Sequence, residues 1–180
     1  VSHSSGRRGG KCGEGGGTGG RRITGGTVAG DSLRGLGKDK IEWNGGGIVY
    51  GNIDLGAGND TAVLTNRTDA NIGATKRLTG GEGVDALTFN NVKTGKVARF
   101  DSWETINLTN DTRLTFDTTL TLGDAGTGTG TLNVDASSTI YGGSAQSGIN
   151  AFSASQLASV VNAGRIDLTN GGSSTSDTFT

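Results

Sequence analysis

Residues 103–143 read WETINLTNDTRLTFDTTLTLGDAGTGTGTLNVDASSTIYGG, and this stretch decides the fold. Apolar and polar side chains alternate strictly in several short runs; Ile106 and Leu108, for example, alternate with threonine and asparagine. Such alternation is typical of strands with one buried face. Each run ends in turn-forming residues such as Asn-Asp, Gly-Asp-Ala-Gly or Ala-Ser-Ser. The stretch therefore predicts short strands around a narrow core and no active site.

The composition of the whole chain favours a thin core. Of 180 residues, 31% are hydrophobic and 35 are glycine, and proline and methionine are absent. A solenoid suits such a composition because its core is one thin column of side chains. No apolar run approaches the roughly 18 residues that a membrane span requires. The lack of methionine, together with an ending in the middle of a strand pattern, predicts that the chain is a fragment or has an unusual start site.

The first part of the chain differs from the rest in charge and complexity. Residues 1–37 hold six basic and two acidic residues, whereas the remainder holds ten basic and fifteen acidic residues. Ordering this glycine-rich segment would cost about 1–2 kcal/mol per residue with little burial to offset it. We therefore predict a disordered tail over 1–40 and a folded unit over 41–180. Arginine with glycine can bind nucleic acid, but the tail has no stacking aromatic residue, so we expect no nucleic-acid partner.

A repeat appears in the first half of the predicted fold. G-A-G-N-D at 56–60 recurs as G-E-G-V-D at 81–85, with strands expected near 48–50, 53–55 and 62–65. The fixed offset between the two copies predicts one turn of a β-solenoid. Asp60 and Asp85 would then lie one above the other, roughly 4.8 Å apart. Residues 154–161 have weak helical character, and a strand over 157–162 is the alternative.

The same turns raise the question of a metal. Residues 80–88 fit the nonapeptide of calcium-binding repeat toxins at every position, which makes a calcium-stabilised secreted module one alternative. In those repeats, successive nonapeptide turns share each ion. Here no further copy of the motif lies between the copy that ends at Asp60 and the copy that starts at Gly81, so no pair of adjacent turns is present to share an ion. The favoured interpretation is that glycine allows the turn and aspartate caps the backbone. We therefore predict no metal site and no cofactor.

Catalytic interpretations have less support. G-D-S-L at 30–33 resembles the nucleophile block of a lipase and esterase family, but Ser32 would need a base, and the single histidine is His3. Phe100 and Trp103 could form a platform that stacks on a ligand, although such residues more often fill a core corner. A polysaccharide-degrading β-helix would need clustered charges. Five charged residues lie close together in the sequence, and we expect them to be solvated turn residues and not such a cluster. They are Asp101, Glu104, Asp111, Arg113 and Asp117. We predict that the chain is not an enzyme.

Four segments, at 56–65, 103–109, 131–143 and 162–180, are similar to the passenger domains of bacterial autotransporters. The resemblance implies a right-handed parallel β-helix, exported by type V secretion to the outer membrane and surface of a Gram-negative bacterium, or secreted. It implies the protein's own translocator barrel as one partner, and host-surface or other bacterial-surface molecules as others. Passengers of this family are often adhesins. We therefore expect a structural stem or adhesin whose outward ladders of threonine, asparagine and aspartate form the contact surface.

Overall fold

The computed structural model describes residues 2–3, 18–33, 35–126, 129–142, 148–153 and 156–167. They form an all-β parallel solenoid of about five turns, as the sequence predicts. Beside the strands lie a one-turn helix, α1 (Asp69–Ile72), and a 3-10 turn at Val97–Arg99. The strands are β1 (Ser2–His3), β2 (Gly20–Ile23), β3 (Thr27–Val28), β4 (Ser32–Leu33), β5 (Lys40–Asn44), β6 (Ile48–Val49), β7 (Asn52–Asp54), β8 (Thr61–Thr68), β9 (Arg77–Thr79), β10 (Ala86–Thr94), β11 (Phe100–Asp101), β12 (Thr105–Thr109), β13 (Arg113–Phe116), β14 (Thr119–Leu122), β15 (Thr129–Val134), β16 (Thr139–Gly142), β17 (Gly148–Ala151), β18 (Leu157–Asn162) and β19 (Arg165–Asp167).

The longest sheet contains one or two strands from each turn of the chain. Its path runs β1, β2, β5, β8, β10, β12, β15 and β18, and β13, β16 and β19 continue it beyond a corner. The described pairs are parallel, and the turns differ in length: Thr105 pairs with Ala86 before it and with Thr131 after it, and Thr131 pairs with Ser159. β18 forms over the segment for which the sequence left both a helix and a strand as alternatives, so the strand alternative is confirmed. Each strand thus pairs with the strands of neighbouring turns, as in other solenoids.

Asparagine residues form the corner of this sheet. Asn66 in β8 and Asn91 in β10 have φ angles of 55° and 54°. Asparagine enters this left-handed region more readily than most residues with a side chain. The Asn91 Nδ2 donates a hydrogen bond of 2.8 Å to the Asn66 Oδ1. The corner therefore repeats from one turn to the next in both backbone and side chain.

Three smaller parallel sheets form the rest of the wall. The largest contains β4, β7, β9 and β11, and the other two pair β3 with β6 and β14 with β17. The register that the repeat predicts is present here as well, since Ile53 pairs with Leu78 at the same offset that relates Gly56 to Gly81. The wall therefore closes around one narrow column of side chains.

The core follows the alternation in the sequence. Ile106 and Leu108 are buried, whereas Asn107 between them and the flanking Thr105 and Thr109 face outward. Phe89 and Phe100 meet edge to face, with their ring centroids 4.9 Å apart. Burying side chains of this size contributes about 1.5–3 kcal/mol each. A few large residues therefore hold together a chain that is otherwise rich in glycine.

The solenoid begins earlier than the sequence analysis predicts. Residues 20–33 form a turn of their own, because β2 pairs with β5, β3 with β6 and β4 with β7. This stacking buries Ile23 and Val28, and their burial offsets the ordering cost that argued for disorder. The predicted boundary at residue 41 is therefore about one turn too late. Residues 4–17, which include Cys12, lie outside the described residues.

Candidate functional site

A column of four carboxyl groups runs along one corner of the solenoid. Asp39, Asp60, Asp85 and Glu104 each accept a hydrogen bond of 2.7 Å from a main-chain N–H of the preceding turn. The donors are, in order, Gly19, Asp39, Asp60 and Asp85. None of the four acids is more than 6% exposed. We call this set the carboxyl column.

A motif that occurs three times in the sequence supplies three of the four acids of the column. G-x-G-x-D occurs at 35–39, 56–60 and 81–85. The middle residues stack directly, since Ala57 bridges both Leu36 and Glu82. Gly81 has a φ of 106°, and a Cβ at this position would lie 1.7 Å from the Gly56 carbonyl oxygen. Glycine is required here because neighbouring turns approach so closely. The predicted stacking of the repeat is confirmed, and the copy at 35–39 escaped the sequence analysis.

The surroundings of Asp85 disfavour its ionised form. Burial raises the pKa of Asp85, the hydrogen bond from the Asp60 N–H lowers it, and the charges of Asp60, Glu104 and Asp124 raise it further, so that it reaches about 7. The Asp85 side chain has no measurable exposure, and its Oδ2 has no hydrogen-bond partner. Burial and nearby like charges both favour the protonated form of a carboxyl group.

The column does not resemble a calcium cage. One oxygen each of Asp60 and Asp85 is engaged by a main-chain N–H. Within the ranges that the structure describes, no group of three or more histidine, cysteine, aspartate or glutamate side chains could hold a metal ion. The arrangement favours the interpretation that the aspartates serve the turns and join each turn to the next.

Ser32 lies inside the solenoid wall. It is 1% exposed, and its Oγ accepts a hydrogen bond of 2.7 Å from the Arg21 Nη1. The side chain of His3 lies outside the described residues. A buried serine bound to a guanidinium is not placed to attack a substrate.

Phe100 and Trp103 belong to the core, which confirms the favoured interpretation of this pair. Both are fully buried. The Trp103 Nε1 donates a hydrogen bond of 3.1 Å to the Leu78 carbonyl oxygen of the preceding turn. The indole therefore satisfies its polar atom while filling the column, and it offers no platform to a ligand.

The five charged residues singled out from 101–117 do not form one cluster. Asp101 binds Arg77 at 2.7 Å on the outer wall. Hydrogen bonds from Arg113 and Lys93 lower the pKa of Asp111, and Asp117 lies on the surface. Glu104 contradicts the expectation of a solvated turn residue, because it is buried at the end of the carboxyl column. It is buried because its carboxylate accepts the Asp85 N–H.

Arg99 is a buried charge that sequence reasoning missed. Its guanidinium donates to the carbonyl oxygens of Ile72 at 2.8 Å and Gly95 at 2.7 Å, and it lies 5.4 Å from the Phe100 ring centre. Burial lowers the pKa of Arg99, and the charges of Asp69 and Asp117 oppose this effect. The residue joins two successive turns at a corner, so its role is structural.

Before the asparagine corner, the described outer face of β8, β10, β12, β15 and β18 carries no charged side chain. Beyond the corner the same sheet is charged, because Lys93 of β10 and Arg113 of β13 bind Asp111 at 3.4 and 3.2 Å. Asn133 donates to the Asn107 Oδ1 at 2.9 Å, and the hydroxyls of Thr131 and Ser159 lie 3.0 Å apart. We call the outward residues of β8, β10, β12, β15 and β18 that come before the asparagine corner the threonine face. They are Thr61, Val63, Thr65, Ala86, Thr88, Asn90, Thr105, Asn107, Thr109, Thr129, Thr131, Asn133, Leu157, Ser159 and Val161. The same sheet is charged in its first turns, where Lys40 binds Glu42 at 2.7 Å.

An open groove lies beside the G-x-G-x-D turns. Asp54, Arg77, Glu82, Asp124 and Phe152 line it. The carboxylates of Asp54 and Asp124 accept main-chain N–H groups two residues further on, at 3.1 and 2.7 Å. Both acids therefore take part in local turns, and Asp124 also accepts the Gly83 N–H at 3.3 Å.

Comparison with known proteins identifies no relative of this chain. No family model matches the chain, and neither the curated proteins nor the solved structures include a significant match. Among the residues that the structure describes, no helix is long and apolar enough to cross a membrane.

Proposed function

We propose that this chain is a segment of an autotransporter passenger, displayed on a Gram-negative cell as a non-enzymatic stem or adhesin. The threonine face is the observation that carries the proposal, because it offers uncharged hydrogen-bonding groups over successive turns. The resemblance of four segments of the sequence to autotransporter passengers supports the same function.

The stacking of the turns suits export through a narrow barrel. The strand pairs described join neighbouring turns, so that the stack can grow by one turn at a time. The chain contains a single cysteine and so forms no internal disulfide that would have to cross the barrel. A chain that emerges unfolded can therefore gain its structure outside the cell, one turn after another.

The threonine face suits contact with an uncharged surface molecule. Hydrogen bonds between turns, such as that from Asn133 to Asn107, hold its side chains in fixed rows. Ordered side chains lose little freedom when a partner binds. Since the face has no charge, it neither attracts nor repels ions over distance, and hydroxyl-rich surface molecules of host or bacterium would suit it.

Surface display tests the exported state of the whole chain. The 180 residues are placed between a secretion signal and the translocator barrel of an unrelated autotransporter in a Gram-negative host. We expect the chain to reach the surface and its described strands between residues 20 and 167 to resist brief proteinase treatment of intact cells. A matched variant, Ile106→Asp, places a charge in the core and should be digested on the same cells.

Two outcomes would contradict the display proposal. One is that the parent chain stays in the periplasm while an unrelated control passenger reaches the surface. The other is that the displayed parent is digested as fast as the Ile106→Asp variant. Contact through the threonine face is tested separately, by adhesion.

A further inference from the structure

Four carboxyl groups in one buried column cannot all be ionised cheaply, because like charges in a poorly hydrated site repel one another. We propose that Asp85, in the carboxyl column, holds a proton in the folded protein up to neutral pH and thereby couples the stacking of the turns to pH. The free energy of unfolding of the solenoid is then highest in mild acid and falls as the pH rises to neutrality. This inference is independent of the proposed surface function, since it rests on the column alone.

The unused oxygen of Asp85 is the atom that would carry the proton. The Oδ1 of Asp85 accepts the Asp60 N–H. Its Oδ2 is buried without a hydrogen-bond partner. A buried, ionised carboxylate without a compensating partner is costly, whereas a neutral carboxylic acid with its proton on Oδ2 keeps the main-chain hydrogen bond and carries no charge.

The charged groups that act on Asp85 from the packed elements are all acids. Asp60 faces it from the turn before β8, Glu104 from the turn before β12 and Asp124 from the loop after β14. Arg77 lines the adjoining groove, and its guanidinium binds Asp101 on the outer wall. Protonation of Asp85 therefore removes repulsion at the middle of the column.

The sign of the pH effect follows from the two states of Asp85. Its pKa is about 7 in the folded protein against 3.8 for the unperturbed group. The folded state holds the proton more tightly, so this stabilisation is complete below the unfolded value and is lost as pH rises through about 7. Between these values, the unfolding equilibrium constant should rise about tenfold per pH unit.

Other acids limit stability at low pH. Burial raises the pKa of Asp135, but hydrogen bonds from Ser138, the Asn110 N–H and Ser137 outweigh it and lower the pKa to about 2. The stability that Asp135 contributes is present above the unfolded pKa and is lost as pH falls towards 2. These two effects together place the maximum of stability at about pH 4.

Urea unfolding of the full chain at pH 5, 6, 7 and 8, with a chelator present throughout, tests the proposal. We expect the urea midpoint to fall from pH 5 to pH 8, with a total rise in the unfolding constant of about a hundredfold, most of it between pH 5 and pH 7. Asp85→Asn imitates the protonated acid and should remove most of this dependence. Asp117→Asn, on the surface, is the matched control and should keep it.

Infrared spectroscopy gives a readout that does not depend on variant stability. A protonated carboxylic-acid band should be present in the folded parent at pH 6 and should disappear by pH 8.5. A parent midpoint that is constant or rises from pH 5 to pH 8 would overturn the proposal, as would the absence of that band at pH 6. An undiminished pH dependence in a folded Asp85→Asn protein would also overturn it.

Discussion

The main-chain N–H of Asp60 donates a hydrogen bond of 2.7 Å to the Oδ1 of Asp85, which lies one turn later in the chain. The two residues occupy the same place in successive turns, and the bond repeats from Asp39 to Asp60 and from Asp85 to Glu104. At this corner, side-chain carboxyl groups accept hydrogen bonds between turns, whereas in the sheets main-chain carbonyl groups accept them. The column ties together turns whose core contains few large residues.

Removing the Asp85 carboxyl should destabilise the solenoid even where that carboxyl is uncharged. At pH 5, Asp85→Ala leaves the buried Asp60 N–H without its acceptor, which should lower the free energy of unfolding by about 1–3 kcal/mol. Asp85→Asn keeps an oxygen in place and should cost less. Urea unfolding at pH 5 measures both variants, and an alanine variant as stable as the parent would show that the hydrogen bond contributes nothing.

Gly81 should not tolerate a side chain. Gly81→Ala forces a non-glycine residue into a φ of 106° and brings its Cβ to 1.7 Å from the Gly56 carbonyl oxygen. We expect a loss of at least about 1–3 kcal/mol of unfolding free energy, from backbone strain alone. Gly25→Ala is the control, since a Cβ at residue 25 meets no atom within 4 Å. Equal thermal stability of the two variants would contradict the close stacking of the turns.

Trp103 should be one of the most sensitive core positions. Trp103→Ala opens a cavity in the column and removes the hydrogen bond to the Leu78 carbonyl oxygen, and we expect a loss of about 3–5 kcal/mol. Tyr50→Ala removes an aromatic ring that is 51% exposed and should change stability by about 0.5 kcal/mol or less. Chemical denaturation compares the two, and a Trp103 variant as mild as the Tyr50 variant would contradict the thin-core description.

Calcium should have little effect on the folded protein. If Asp60 and Asp85 serve only the stacked turns, millimolar calcium should shift the melting temperature by about a degree or less. A ligand that binds only the folded state would add about 2.7 kcal/mol to the free energy of unfolding when its concentration is one hundred times its dissociation constant. A calcium-dependent shift of several degrees that disappears in Asp85→Ala would instead support a calcium-binding repeat.

Much of the fold was predictable because its signals are local. Alternation gives β12 and β15 directly, and the offset between the two recognised copies of the repeat gives the register of β8 against β10. The first turn was missed because it has few large residues, although G-G-T-V-A-G at 25–30 repeats G-G-I-V-Y-G at 46–51. That pair of segments is the signal that could have placed the boundary one turn earlier.

The complete carboxyl column was harder to predict because the turns differ in length. Glu104 follows Asp85 after a shorter turn than the one that separates Asp60 from Asp85, and it is not part of a G-x-G-x-D motif. Its longer side chain reaches the position that aspartate occupies elsewhere. The burial of Arg99 also left no trace in the sequence, since its partners are main-chain carbonyl groups supplied by the fold.

Adhesion of displaying cells tests most directly the claim that the threonine face is the contact surface of a displayed rod. Cells carrying the parent chain, Thr105→Lys/Thr131→Lys or the control Thr115→Lys/Thr121→Lys are displayed at equal density and counted after washing on an epithelial monolayer. We expect the parent and the control to be retained alike, and the first variant to fall to the level of cells that carry the barrel alone. Retention of that variant at the parent's level, or no retention of the parent above barrel-only cells, would contradict the account.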